Sequence, residues 1–177
     1  MFTFVSGNRT LDFIGTVKAR RAEFNDLLTT PADLGQWLIE AGVLDTAPEV
    51  GAETLRRATR LREAAWHLAL AETGGTAMPA ADLRVLNELA HGEPTRLTLH
   101  ADGSVRRSGT AEQALTDIAR DAIELFGGED HARIRECGRP ECTRLYIDTS
   151  RGGSRRWCDM TICGNRAKSA AFRARQS

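Results

Sequence analysis

The 177-residue sequence has no run of about 18 apolar residues, so it predicts no transmembrane helix. Its first residues, Met1-Phe2-Thr3-Phe4-Val5-Ser6-Gly7, are too few and too soon broken for the apolar core of a signal peptide. Both absences point to a cytoplasmic protein, where disulfides are disfavoured. No phosphate-binding loop, nucleophile elbow or dinucleotide fingerprint occurs. His67, His91, His100 and His131 are scattered, with no pair at helical ligand spacing and no acidic partner placed to complete one. The expectation is a binding protein and not an enzyme. Repeats and low-complexity tracts are missing too, and the first 136 residues contain no cysteine.

Net charge is absent only as a sum. Lys+Arg and Asp+Glu both number 24. Residues 1–130 hold 13 Lys/Arg against 20 Asp/Glu, a net of −7, whereas residues 131–177 hold 11 against 4, a net of +7. Such asymmetry signals separate tasks, and the basic end suggests an anionic partner. With 41% hydrophobic and 27% charged residues, the chain has ordinary globular composition. Charge, cysteine content and periodicity all change near residue 130, which sets the expected boundary between a 1–130 domain and a 131–177 domain.

The first domain reads as helical. Asn8 can cap a helix carrying Leu11, Ile14 and Val17. Thr30-Pro31-Ala32-Asp33 combines a capping hydroxyl, proline at the first helical position and an acid three residues after the cap. That helix should bury Leu34, Trp37, Leu38 and Ala41 and stop at Gly42. A stripe of Leu55, Ala58, Leu61, Ala65, Leu68 and Ala69 predicts a helix from about Pro48 to Ala71, and Leu83, Leu86 and Leu89 predict another from Pro79 to Ala90. Alternation around Leu97 and Leu99, followed by Asp102-Gly103, predicts a two-residue hairpin turn. A capping box of Thr110 and Gln113 opens a long helix burying Leu115, Ile118, Ala119, Ala122, Ile123 and Phe126. Asp12 sits in an apolar stretch and needs a partner if buried; Arg20, Arg21 or an arginine of the second domain could serve. The predicted class is mainly α with a small β-hairpin.

The second domain is organised by Cys137-x4-Cys142-x15-Cys158-x4-Cys163. Two close thiol pairs at this separation have the spacing of a tetrahedral zinc site. An iron site or a redox sensor uses the same ligands. A catalytic zinc is disfavoured because four cysteines leave no position open for water or substrate. The expectation is one structural Zn2+, supplying stability that a short segment with few large apolar side chains lacks. Leu145-Tyr146-Ile147 is β-prone, Ser150–Ser154 reads as a turn, and Ala167, Ala170, Ala171 and Ala174 have helical spacing after the last cysteine. The predicted order is knuckle, short hairpin and helix, as in a treble-clef or ribbon-type finger.

The stretch from Arg155 to Lys168, with Cys163-Gly164-Asn165-Arg166 at its centre, resembles the CGNR-type zinc finger; Cys137, Cys142 and Tyr146-Ile147-Asp148 fit the same pattern. Leu11-Asp12-Phe13-Ile14-Gly15-Thr16 resembles the Leu-Asp-Phe-x-Asn-Thr opening of the stress-induced transcription regulator (ABATE-type) domain, with Gly15 where asparagine is usual. Together the resemblances imply a helical regulator domain joined to a zinc finger that binds DNA or RNA.

Arg151, Arg155, Arg156, Asn165, Arg166, Lys168, Arg173 and Arg175 are the candidate nucleic-acid contacts. Four thiolates and one Zn2+ lower the +7 of the segment to +5, which still suits several phosphates. Arg155 and Arg156 have a second candidate role, balancing the charge of the sulfur centre, and Asn165 could instead fix the turn after Cys163. Three readings follow. In the first, a DNA-binding transcription regulator has a helical domain that senses a small-molecule effector or forms a homodimer. In the second, the finger binds RNA by stacking bases on Trp157 or Tyr146. In the third, the finger is a packing module that docks its basic face on the acidic 1–130 domain or on a protein partner.

Overall fold

The computed structural model describes residues 1–175; Gln176 and Ser177, the last two positions of the expected finger, lie outside the described residues. Helix α1 (Arg9–Ile14) starts where Asn8 Oδ1 accepts the Thr10 and Leu11 N–H groups. It is a turn shorter than the Leu11-Ile14-Val17 stripe predicts. The chain leaves the helix at Gly15, and Val17 enters strand β1 (Val17–Lys18), paired antiparallel with β2 (Asn25–Asp26). Val17 is buried all the same, so its apolar character served a strand and not a helix.

The remaining helices are α2 (Pro31–Glu40), α3 (Ala52–Gly74), α4 (Ala80–Ala90) and α5 (Ala111–Gly127). Both capping boxes form, Thr30 with Asp33 and Thr110 with Gln113. Helix α3 begins after Gly51 and not at Pro48. The helices enclose one core around Phe13, Leu34, Trp37, Leu38, Leu61, Leu68, Leu86, Leu115 and Ile118. Each such side chain withdrawn from water stabilises the fold by about 1.5–3 kcal/mol. One position departs from the expected stripe of α5. Ile123 is exposed, and Leu125 is buried in its place. The buried face turns toward Leu125 because the finger packs there, against Ile134, Leu145 and Ile147.

Strands β3 (Arg96–Leu99) and β4 (Val105–Ser108) form the expected hairpin, but its loop has three residues, Ala101–Gly103, closed by His100 N donating to Ser104 O at 2.9 Å. Leu97 and Leu99 stay exposed. The hairpin is tied to the body through Asp45, whose carboxylate accepts the Arg107 N–H at 2.7 Å.

A 3-10 turn (Glu129–Arg133) leads into β5 (Ile134–Glu136), which pairs antiparallel with β6 (Leu145–Ile147). The β-prone run at Leu145 is thus a strand, but its partner lies before the first cysteine pair and not between the pairs. Burial explains the choice. All three residues of β6 are buried: Leu145 and Ile147 join Leu11, Ile14, Trp66 and Leu125, whereas Tyr146, on the opposite face, joins the cysteines. After a loop come a π-helical turn (Met160–Gly164) and α6 (Asn165–Ala174).

Candidate metal centre

The tip of the β5–β6 hairpin carries Cys137 and Cys142. Cys137 N donates to Arg144 O at 2.9 Å and Cys142 N to Arg139 O at 2.9 Å, which folds the intervening residues into a knuckle. Gly138 N donates to Arg156 O at 2.8 Å and so brings the second cysteine strand alongside. Asp159 caps the π-helical turn by accepting Thr161 N at 2.6 Å, and this turn aims Cys163 back at Cys158. A Cβ on Gly164 would lie 2.9 Å from Met160 Cε, the flexible end of an exposed side chain that can move aside.

The four sulfurs all lie within 4.8 Å of one another, and Cys137, Cys158 and Cys163 are buried. Cys142 Sγ is 3.8 Å from Cys158 Sγ, and Cys158 Sγ is 3.6 Å from Cys163 Sγ. A disulfide needs about 2.05 Å. Sulfurs bound tetrahedrally to zinc at about 2.3 Å are separated by about 3.8 Å. The cysteines are free, and their spacing fits one zinc ion. Their proton affinities fit it as well. S–H groups of Cys142 and Cys158 donate to Cys137 and hold its thiol far below the ordinary cysteine range. The same bonds, with burial, push Cys142 up to about 11 and Cys158 higher still. A dication bound among the four sulfurs favours their thiolate state.

Of the expected nucleic-acid contacts, Arg155 is turned inward. Its Nε donates to Trp157 O at 2.9 Å, and its Nη2 donates to Cys158 O and, at 3.2 Å, to Val5 O. Its guanidinium covers the Tyr146 ring at 4.4 Å, while Tyr146 OH donates to Arg155 O at 2.6 Å. Tyr146 is therefore closed to the base stacking expected of it, being 1% exposed. Trp157 is half-buried against the cysteine cluster, with the Arg156 guanidinium 5.2 Å from its ring. Asn165 Nδ2 donates to Thr161 O at 2.9 Å and fixes the turn. Arg151 lies apart, exposed in the Ser150–Ser154 turn, whereas Arg166, Lys168 and Arg173 are exposed on α6 and Arg175 directly after it.

One finger arginine belongs to the site without having been expected there, and another is the finger partner expected of Asp12. Arg139 Nη1 lies 3.9 Å from Cys163 Sγ, and its Nε donates to Glu141 at 2.9 Å. Arg144 is the partner of Asp12, at 3.8 Å. Arg20 and Arg21, the other candidates, go elsewhere: Arg20 binds Glu63 through both terminal nitrogens, at 2.5 and 3.0 Å, and Arg21 reaches Glu136 at 2.7 Å. Burial pushes the Asp12 carboxyl up, against the opposing pull of Ser6, Arg144 and the Val5 N–H. A second buried charge is not anticipated by the sequence pattern. Arg62 is 1% exposed and makes two 2.7 Å bonds to Asp26 and one of 3.1 Å to Thr16. Its place on the stripe, four residues after Ala58 and three before Ala65, was the available signal.

The helical core and the four-sulfur centre packed on it define a zinc-finger protein with a helical partner domain. Residues 7–129 match the family model ABATE, described as "Putative stress-induced transcription regulator", and residues 133–176 match that of the CGNR zinc finger. The chain belongs to the ABATE family and carries a CGNR zinc finger. No curated protein matches it. Among the described residues, no helix is long and apolar enough to cross a membrane.

Proposed function

We propose that the protein is a DNA-binding transcription regulator that presents α6 to the duplex and acts in the cytoplasm without catalysing a reaction. The carrying observation is the composition and exposure of that helix. Arg166, Lys168 and Arg173, with Arg175 directly after the helix, are all exposed, and α6 contains no acidic residue. Phe172 and Ile162 are exposed beside them, at 55% and 46%, and offer apolar contact to a thymine methyl or a sugar. The helical domain takes up the β6 face of the finger, through Ile134, Leu145 and Ile147, while Ile162 and Arg166 stand at the border between the two. In this reading the zinc holds the turn from which α6 departs, and the helical domain serves sensing or dimerisation.

The packing reading has its own support in Arg144 and Arg155, which bind Thr3 O and Val5 O. It gives no role to the exposed Lys168 of α6. Titration of zinc-loaded protein against a labelled duplex at two salt concentrations tests the proposal. Binding should weaken steeply as salt rises, and single-stranded RNA should compete poorly. Binding that is absent or indifferent to salt overturns it.

A further inference from the structure

A cleft of about 330 Å3 lies between Gly15–Ala19 of the helical domain and the cysteine turns of the finger. Volumes of this order hold small organic ligands, and junctions between packed units are common places for them. Val5, Val17, Ala19 and Ile162 give the cleft apolar walls, and Lys18, Arg139, Arg144 and Arg166 supply positive charge. The Arg144 side chain is only 9% exposed. Among the described residues one acceptor receives a hydrogen bond from it, Thr3 O at 3.1 Å; Asp12 Oδ1, at 3.8 Å, is beyond that reach. A guanidinium with only part of its donors engaged by the protein, and the rest facing the cleft's water, is a recognition group for a planar anion.

Two backbone features keep this arrangement open. A Cβ on residue 15 would come within 2.7 Å of Arg144 Nη1, so the absent side chain lets the guanidinium cross the end of α1. Ala19 holds a left-handed conformation, φ +51°, which is uncommon for a residue with a side chain and is met at ligand sites. Arg20 N, donating to Thr143 Oγ1 at 3.1 Å, locks that bend to the finger. Glu141 and Asp159 also reach the cleft, but Glu141 is engaged by Arg139 and Asp159 by Thr161. With Arg139 tied to Glu141 and set against Cys163, the anionic head belongs beside Arg144 and Lys18.

We propose that this cleft binds a small organic carboxylate. Arg144 and Lys18 take the carboxylate, and Val5, Val17 and Ile162 cover the hydrocarbon part. Because both domains line the cleft, the ligand fastens the finger to the helical core. Isothermal titration of zinc-loaded full-length protein with hexanoate, hexylamine and inorganic phosphate tests it. Hexanoate should bind saturably, hexylamine should not, and phosphate should bind at least roughly tenfold more weakly than hexanoate. Gly15→Asn, which fills the cleft, and Lys18→Met should each weaken hexanoate roughly tenfold while zinc content and circular dichroism stay unchanged. The proposal is overturned by the absence of saturable hexanoate binding, by phosphate binding as tightly, or by unchanged affinity in both variants.

Discussion

Asp12, in the first helix, and Arg144, between the zinc knuckle and β6, face each other across 3.8 Å in a setting where both side chains are about nine-tenths buried. The carboxylate also accepts the Val5 and Ser6 N–H groups, at 3.1 and 3.0 Å, and Ser6 O accepts the Ile147 N–H at 2.7 Å. One acid thus shapes the N-terminal segment into an edge on which β6 is hydrogen-bonded. The Leu-Asp-Phe opening of the helical domain is, in this protein, a docking element for the finger.

Removing that acid leaves Arg144 as a buried cation without a counter-charge. Asp12→Asn should lower stability by about 3 kcal/mol, the range for breaking one half of a buried pair. Urea denaturation followed by circular dichroism measures it. A loss below roughly 1 kcal/mol, the size of a surface pair, would show that the Asp12–Arg144 charges are already solvated.

Arg62 and Asp26 make a prediction about pH. Burial raises the Asp26 carboxyl, but the two bonds from Arg62 and the Leu28 N–H outweigh it and hold the group below its usual value of 3.8. A carboxyl depressed in the folded state gives stability that is present above its unfolded pKa and is lost as pH falls through its folded one. Stability should therefore decline below about pH 4, and Asp26→Asn should flatten that acid limb while lowering stability at neutral pH. Denaturant midpoints measured from pH 7 to pH 2 for both proteins check this. An acid limb of the same steepness in Asp26→Asn would show that other carboxyls set it.

Zinc should stabilise more than its own turn, because β6 faces two ways. Tyr146 contacts the cysteine cluster, and its neighbours Leu145 and Ile147 complete the core around Trp66. Cys158→Ser should abolish stoichiometric zinc, melt the finger and lower the midpoint of the helical domain, with α2 to α5 still giving most of the helical circular dichroism. Elemental analysis beside thermal melts decides it. Iron in place of zinc, or a helical domain indifferent to the substitution, would contradict it.

The elements that residue chemistry fixes locally were legible in the sequence. Thr30 and Thr110 cap because each has its partner three residues on, and the four cysteines meet because paired thiols share one ion. Features settled by distant contacts were not. Ile123 and Leu125 exchange roles only because β5 and β6 pack beside the end of α5. Strand β6 pairs upstream because burying both its faces requires the helical domain on one side. Arg155 looks from its position like one more cation of a basic segment; its inward turn depends on carbonyls of Trp157, Cys158 and Val5 that no local pattern brings together.

The contrast between Arg155 and the α6 cations gives the sharpest test of how the finger divides its labour. If Arg155 is internal mortar, Arg155→Met should cost stability and zinc retention, since several carbonyls lose their donor at about 1–3 kcal/mol for each one left buried and unsatisfied. Its effect on duplex binding should vanish when only the folded, zinc-loaded fraction is counted. Arg166→Ala and Lys168→Ala should behave in the opposite way. Stability and zinc content should stay within about 0.5 kcal/mol and one ion per chain, as for exposed side chains. Duplex affinity should fall, and the slope of log affinity against log salt should shrink by about one for each phosphate that the variant no longer neutralises. Salt-dependent fluorescence anisotropy on the three variants, normalised to bound zinc, reads all of this. If Arg155→Met alone changed the slope, the nucleic-acid surface would lie around the cysteine turns and not on α6.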